Sequence, residues 1–222
     1  MKILMLTPYL PYPLMSGGQT RSYNLIKNLA DKHEITLFSL IKDESEKKYI
    51  PELEKYCRKV KVFKRPKTPW NLRNILLTGF GPYPFLVIRN LVPEERDAVG
   101  IEMANEKYDL IHAETFYVMP HIPRTNTPVL LVDQTIEYLV YKHYVEEQSP
   151  FFLRPLLWID ILKLRFWETY YWRRSKKVVA MSEADAHEMK KLIPSLDVEI
   201  VPNGVDISYF SAIKREEAKT RK

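Results

Sequence analysis

A glycine pair, Gly17-Gly18, follows a proline-rich loop and stands directly before a helical stretch. Glycine there lets the backbone come close to a ligand, and the amides of a helix start attract an anion such as a diphosphate. One such helix end contributes only about 0.3–1 kcal/mol for an exposed charge, so it can position a phosphate but not hold it alone. A plain strand-to-helix turn would use the same residues. The pair is not the Gly-x-Gly-x-x-Gly fingerprint of a dinucleotide site, and no Walker lysine follows it. Two further groups carry polar chemistry: His112 with Glu114, and the stretch Asp133-Gln134-Thr135-Ile136-Glu137. A His-x-Glu spacing on a strand turns both side chains to one side. A reacting pair would fit that spacing, and a packed, hydrogen-bonded pair is expected. The five histidines are scattered and Cys57 is alone, so no metal site is expected.

These residues need elements to hold them. Lys2 to Thr7 is an apolar run closed by Pro8, as a buried strand requires. Glu34–Ile41, Lys59–Lys64, Leu110–Ala113, Val129–Asp133, Val178–Met181 and Val198–Val201 read as further strands, the lysine-rich third nearer an edge. Helical spacing marks Thr20–Lys32, Glu44–Tyr56 despite Pro51, Pro93–Glu106 and Phe151–Lys177. The alternation predicts an α/β fold, a doubly wound parallel sheet covered on both faces. Ligands of such sheets bind at the carboxyl ends of the strands, beside a topological switch point. The less regular stretch 66–93 is expected to be an excursion from the sheet.

At 222 residues, 45% hydrophobic and 28% charged, the chain suits one large domain. A single cysteine excludes an internal disulfide and fits a reducing compartment. No apolar run approaches the roughly 20 residues of a spanning helix, and the expected location is cytoplasmic. The net charge of +6 is spread among acidic residues with no nucleic-acid reader motif, so no nucleic acid is expected. An anionic substrate or membrane surface would serve equally. The aromatic and basic stretch Phe151–Lys177 could lie on an anionic bilayer at the inner face of a membrane, although a sheet-covering helix needs the same apolar residues.

Taken in order, Thr7-Pro8 through Gly17-Gly18-Gln19-Thr20-Arg21, Tyr108 to Glu114, Val178 to Glu183 and Pro202-Asn203-Gly204-Val205-Asp206 resemble the N-terminal domain of the family-four retaining glycosyltransferases of the GT-B fold. The resemblance runs from Lys2 to about Phe210. It implies a Rossmann-like domain over residues 1–210 that receives the acceptor, a charged linker stub over 211–222, and a donor-binding domain that the chain lacks. Gly17 and Gly18, by the same resemblance, lie against the donor diphosphate or the transferred sugar, Thr20 and Arg21 face the acceptor, and Asn203 and Gly204 form a turn near the cleft. Pure turn chemistry would explain Asn203-Gly204 as well, since both residue types tolerate positive φ.

One stretch departs from the family. Many members carry a histidine after the fifth strand, in a His-Asn-x-Glu-like segment that contacts the transferred sugar. Gln134 stands there in this chain, flanked by Asp133 and Glu137. Glutamine can donate a hydrogen bond but cannot hold a positive charge. Gln134 is the candidate for the catalytic position, and the resemblance implies as function the acceptor half of a retaining glycosyltransferase, taking a sugar from a nucleotide-sugar substrate to a glycan or lipid-linked acceptor. It binds no cofactor of its own and is expected to be inactive without the second domain. The alternative is a non-catalytic binding or scaffolding module that pairs with a separately encoded donor half.

Overall fold

The computed structural model describes residues 1–204; Val205-Asp206 and the charged segment 211–222 lie outside the described residues. Among the described residues seven strands form one sheet: β1 (Lys2–Thr7), β2 (Glu34–Ile41), β3 (Lys59–Lys64), β4 (Leu110–Glu114), β5 (Val129–Asp133), β6 (Lys177–Ala180) and β7 (Val198–Ile200). Their order is β3-β2-β1-β4-β5-β6-β7, and every pair is parallel. The chain leaves β1 in one direction and returns to its other flank at β4, with Met5 opposite both Leu37 and His112. That reversal is the switch point of a doubly wound sheet, where the carboxyl ends open a crevice.

Alternation along each strand feeds two cores. Leu4, Leu6 and Phe38 join Val99, Leu164, Tyr171 and Trp172 on one face. Met5, Ile35, Leu37 and Ile41 meet Tyr23, Ile26 and Leu53 on the other. Among the described residues eight helices cover these faces: α1 (Gly17–Leu29), α2 (Ile50–Glu54), α3 (Leu72–Phe80), α4 (Phe85–Ile88), α5 (Pro93–Asn105), α6 (Glu137–Gln148), α7 (Arg154–Arg174) and α8 (Glu183–Leu192).

Three elements differ from expectation. The first helix begins at Gly17, not Thr20, because the Ser16 hydroxyl accepts the Gln19 amide at 3.3 Å and caps it there. The glycines are thus its first turn. The segment expected as one helix over 44–56 splits into a 3-10 turn (Glu44–Tyr49) and α2, with Pro51 in the tolerated first turn. Within 66–93 lie α3 and α4, pinned to α7: Lys163 Nζ donates to the carbonyls of Thr78 (2.6 Å) and Gly81 (2.8 Å), and Trp167 Nε1 to that of Pro82 (2.9 Å).

Helix α7 carries two apolar stripes. Ile161, Leu164, Tyr171 and Trp172 are buried in the domain. Leu156, Ile159, Leu162, Phe166 and Tyr170, also three or four residues apart, stay exposed. No helix among the described residues is long and apolar enough to cross a membrane.

Candidate active site

The carboxyl rim gathers most of the residues named from the sequence. Gly17 is exposed, and a β-carbon there would meet nothing within 4 Å. Gly18 is different: a β-carbon would stand 2.5 Å from the Tyr9 hydroxyl and 3.1 Å from Gln134 Oε1. Neither residue has positive φ. Glycine at 18 therefore serves close approach, and the group it admits is the protein's own Tyr9 ring. Among the described residues no acceptor takes the Gly17 or Gly18 amide. Half of the ledge is covered and half is open.

Glu114, fully buried at the end of β4, is the hub of this rim. Its Oε2 lies 2.9 Å from His112 Nε2, and its Oε1 accepts a 2.7 Å bond from Gln134 Nε2. Gln134 Nε2 also donates to the Tyr9 hydroxyl at 3.0 Å. Both amide protons of Gln134 are thereby used, and its Oε1 is left facing Gly18 as an acceptor. Burial, and then the Glu114 charge, raise the Tyr9 pKa, so the phenol keeps its proton. Arg21 Nε is 3.8 Å from Glu114 Oε1, and its Nη1 donates to Asn203 Oδ1 at 3.0 Å and to the Pro202 carbonyl at 3.4 Å. Arg21 thus ties α1 to the segment after β7. Asn203 and Gly204 are exposed, with no positive φ at Asn203, so the left-handed turn allowed by their types is not adopted. Thr20 is exposed, and its hydroxyl returns to the Ser16 carbonyl at 3.0 Å.

Behind the hub sits a second acidic group. Asp133 accepts from the Phe116 amide (3.1 Å) and from the Trp172 indole N–H. Burial, assisted by Glu137, pushes its pKa up to about 7. Glu168 accepts the Glu137 and Tyr138 amides at 2.8 and 3.1 Å, so a buried carboxyl group closes the start of α6. Burial raises Glu137 as well, against the nearby Arg89 charge. The start of α6 is filled from within, whereas the start of α1 keeps free amides.

Several rim residues escaped the sequence reading. Tyr9 gave no signal beyond its place after β1, and Glu168 lies 31 residues from the amide it caps. Thr115, directly after Glu114, has φ 72° and ψ 153°. That region is nearly reserved for glycine and costs a β-branched residue roughly 1–3 kcal/mol. Arg65 and Arg89 meet in a cleft of about 490 Å³ lined also by Tyr9, Ser16, Gln19 and Tyr117. A cleft of about 640 Å³ around Met1, His33, Arg58 and Asp109 lies at the opposite end of the strands. There Arg58 is neutralised by Glu34 and Glu106, each at 2.6 Å. The free donors lie at the carboxyl rim, the side on which ligands of doubly wound sheets bind in general.

Known proteins place this architecture. Residues 15–209 match Glycosyltransferase Family 4, and the chain belongs to that family. The fold is shared with a sucrose-phosphate synthase from Thermosynechococcus elongatus, at 12% identity and TM-score 0.57, covering 94% of this chain and 49% of that one. It is shared also with Medicago truncatula UGT71G1, solved with UDP-glucose, at 11% identity and TM-score 0.55, covering 93% and 52%. The chain spans about half the length of these structures. No curated protein matches it.

Proposed function

We propose that this domain is the acceptor-side half of a retaining glycosyltransferase, which moves a sugar from a nucleotide-sugar donor to a glycan or lipid-linked acceptor. The observation that carries this reading is the pair of free amides at Gly17 and Gly18, opening at the switch point beside the Glu114–Gln134–His112–Arg21 network. Amides fixed by a helix start need no reorganisation when charge develops on a departing diphosphate. The Gln134 Oε1 on the same ledge offers an acceptor to a sugar hydroxyl. A single helix end supplies about 0.3–1 kcal/mol, so the nucleotide needs further groups from protein beyond this domain. The half-length match to longer structures, one of them solved with UDP-glucose, supports that division.

The test is incubation with UDP-, GDP- and ADP-sugars and a panel of acceptors, following release of nucleoside diphosphate. No turnover is expected from the chain alone, and robust turnover would refute the division of labour. Pyrophosphate at millimolar concentration is expected to shift the Gly17 and Gly18 amide resonances. Shifts confined to other regions would remove the ledge from the site.

Peripheral binding to an anionic bilayer belongs to the same reading. The outward stripe of α7 continues through Phe151 and Phe152 and lies beside α3, whose Leu72, Ile75, Leu76 and Phe80 are exposed. Arg73, Arg165 and Arg173 are exposed among them, the charge an anionic surface requires. Co-sedimentation with phosphatidylglycerol vesicles, lost in the Leu156→Glu/Phe166→Glu double variant, is the expected result. Failure of the unaltered chain to sediment would reject the membrane contact.

A further inference from the structure

The cleft beside the glycine ledge holds charge with no counterpart in the protein. Arg65 follows β3, anchored by its amide to the Ile41 carbonyl at 2.9 Å, and is 7% exposed. Its Nε is buried and makes no hydrogen bond, and the same is true of Arg89 Nε, one residue past α4. Among the described residues neither guanidinium has a carboxylate within ion-pairing distance. Lys42 adds a third cation to the lining. Glu46 is the one carboxylate there, and its Oε1 is occupied by the Lys42 and Asp43 amides at 2.7 and 2.8 Å. Glu137, near Arg89, is held by burial toward its neutral form. Burial and the Arg89 charge together depress the Arg65 pKa, the mark of two like charges pressed into one site.

Leaving the buried Arg65 and the half-buried Arg89 in one cleft, each with a dry Nε and no ion-pair partner, is costly unless an anion completes them. We propose that this cleft binds a phosphoryl group of the acceptor, gripped between the guanidinium groups of Arg65 and Arg89. The chemistry fits on three counts. Three cations against one engaged carboxylate leave about two positive charges, matching a phosphate monoester dianion. Guanidinium forks pair with tetrahedral oxygens through two parallel bonds, which a lone ammonium cannot do. Tyr117 supplies a neutral donor to the same space, its phenol kept protonated by burial. At about 490 Å³ the cleft has room for the phosphoryl group and the ring or chain that carries it. Tyr9 lines the cleft and also touches Gly18 and Gln134, so a molecule anchored there lies against the ledge. The word acceptor rests on the proposed function, but the phosphoryl site does not.

The experiment is a titration of the chain followed by calorimetry and thermal shift, with inorganic phosphate, glucose 6-phosphate, glucose, dihexanoyl phosphatidic acid and malonate. Phosphate is expected to bind and to raise the melting temperature. Arg65→Leu and Arg89→Leu are each expected to weaken it by roughly tenfold or more, the scale of a charge-assisted pair. Arg65→Leu should fold at least as well as the unaltered chain, because it removes an uncompensated buried charge. Arg65→Lys, which keeps the charge and loses the fork, should also bind phosphate more weakly. Preference for glucose 6-phosphate over glucose, or for phosphatidic acid, supports the site and tells a soluble from a lipid source. Absence of phosphate binding, equal binding of malonate, or indifference to both leucine variants would overturn it. No nucleotide sugar enters this titration. Sugar transfer to a phosphate-free acceptor by a completed two-domain enzyme would therefore uphold the proposed function while this inference fails.

Discussion

At the amino ends of the strands, Arg58 lies 2.6 Å from both Glu34 and Glu106, Lys2 reaches Glu106 at 2.6 Å, and Lys59 reaches Glu102 at 2.6 Å. At the carboxyl ends of the same sheet, the Nε atoms of Arg21, Arg65 and Arg89 are buried without hydrogen-bond partners, and Thr115 sits in a glycine-type conformation. One end satisfies its charges in solvent. The other leaves donors dry and a backbone strained, with the α1 amides uncovered beside them. Groups left unpaired by the fold are a cost that folding alone does not reward, and that is the ground on which the binding site is proposed at this end.

The comparison can be broken most sharply through two glutamates, each joined to several partners. Glu114→Ala removes a fully buried hub and strands Arg21, Gln134 and His112, at an expected cost of about 3 kcal/mol in urea unfolding. Glu106→Ala cuts bonds to Lys2 and Arg58 that are as short, but in solvent, and a clearly smaller loss is expected. Equal losses would show that depth does not separate the two ends.

The glycine pair gives the next contrast. Gly18→Val drives a side chain into Tyr9 and Gln134, and roughly 1–3 kcal/mol of stability should be lost. Gly17→Ala meets open space in a helical turn and should stabilise by about 0.4–1 kcal/mol. If both variants melt alike, Tyr9 does not cover the ledge in solution.

The smallest effect depends on pH. Glu95, at the start of α5 and so on the carboxyl side, is buried with neither oxygen hydrogen-bonded, and burial raises its pKa well above the usual carboxylate range. His121, 3.4 Å away, is held down to about 4 by burial and carries no charge to offset it. Folded Glu95 keeps its proton where the unfolded chain loses it, so its contribution is complete at acid pH and fades as pH rises toward the folded pKa. Glu95→Gln should therefore be more stable than the unaltered chain by about 1 kcal/mol near pH 8, the scale of one pKa unit. The gain should vanish near pH 4. A pH-independent difference would contradict a buried, protonated Glu95.

Much of the fold was legible in the residues. Apolar runs such as Lys2–Thr7 and Glu34–Ile41 became strands because burial on both faces demands side chains that need no water. The start of α1 was missed by three residues, since two glycines argue against helix until the Ser16 cap is counted. The helices α3 and α4 were hidden by prolines and glycines, and α7 holds them in place from about 80 residues away in sequence. His112 and Glu114 were legible as a pair because a strand sets residues two apart on one side. Their joining to Gln134, Tyr9 and Arg21 was not.

The amino-acid sequence alone determined the layers and the strand set, because periodicity acts within a few residues. Only the tertiary structure decided which charges would meet. Asn203 stands 182 residues from Arg21, and Arg65 and Arg89 come from different elements to one cleft. The cause is sheet order: β1 between β2 and β4 brings distant strand ends to one rim. Electrostatic pairing depends on that distance in space, which no local pattern of residues encodes.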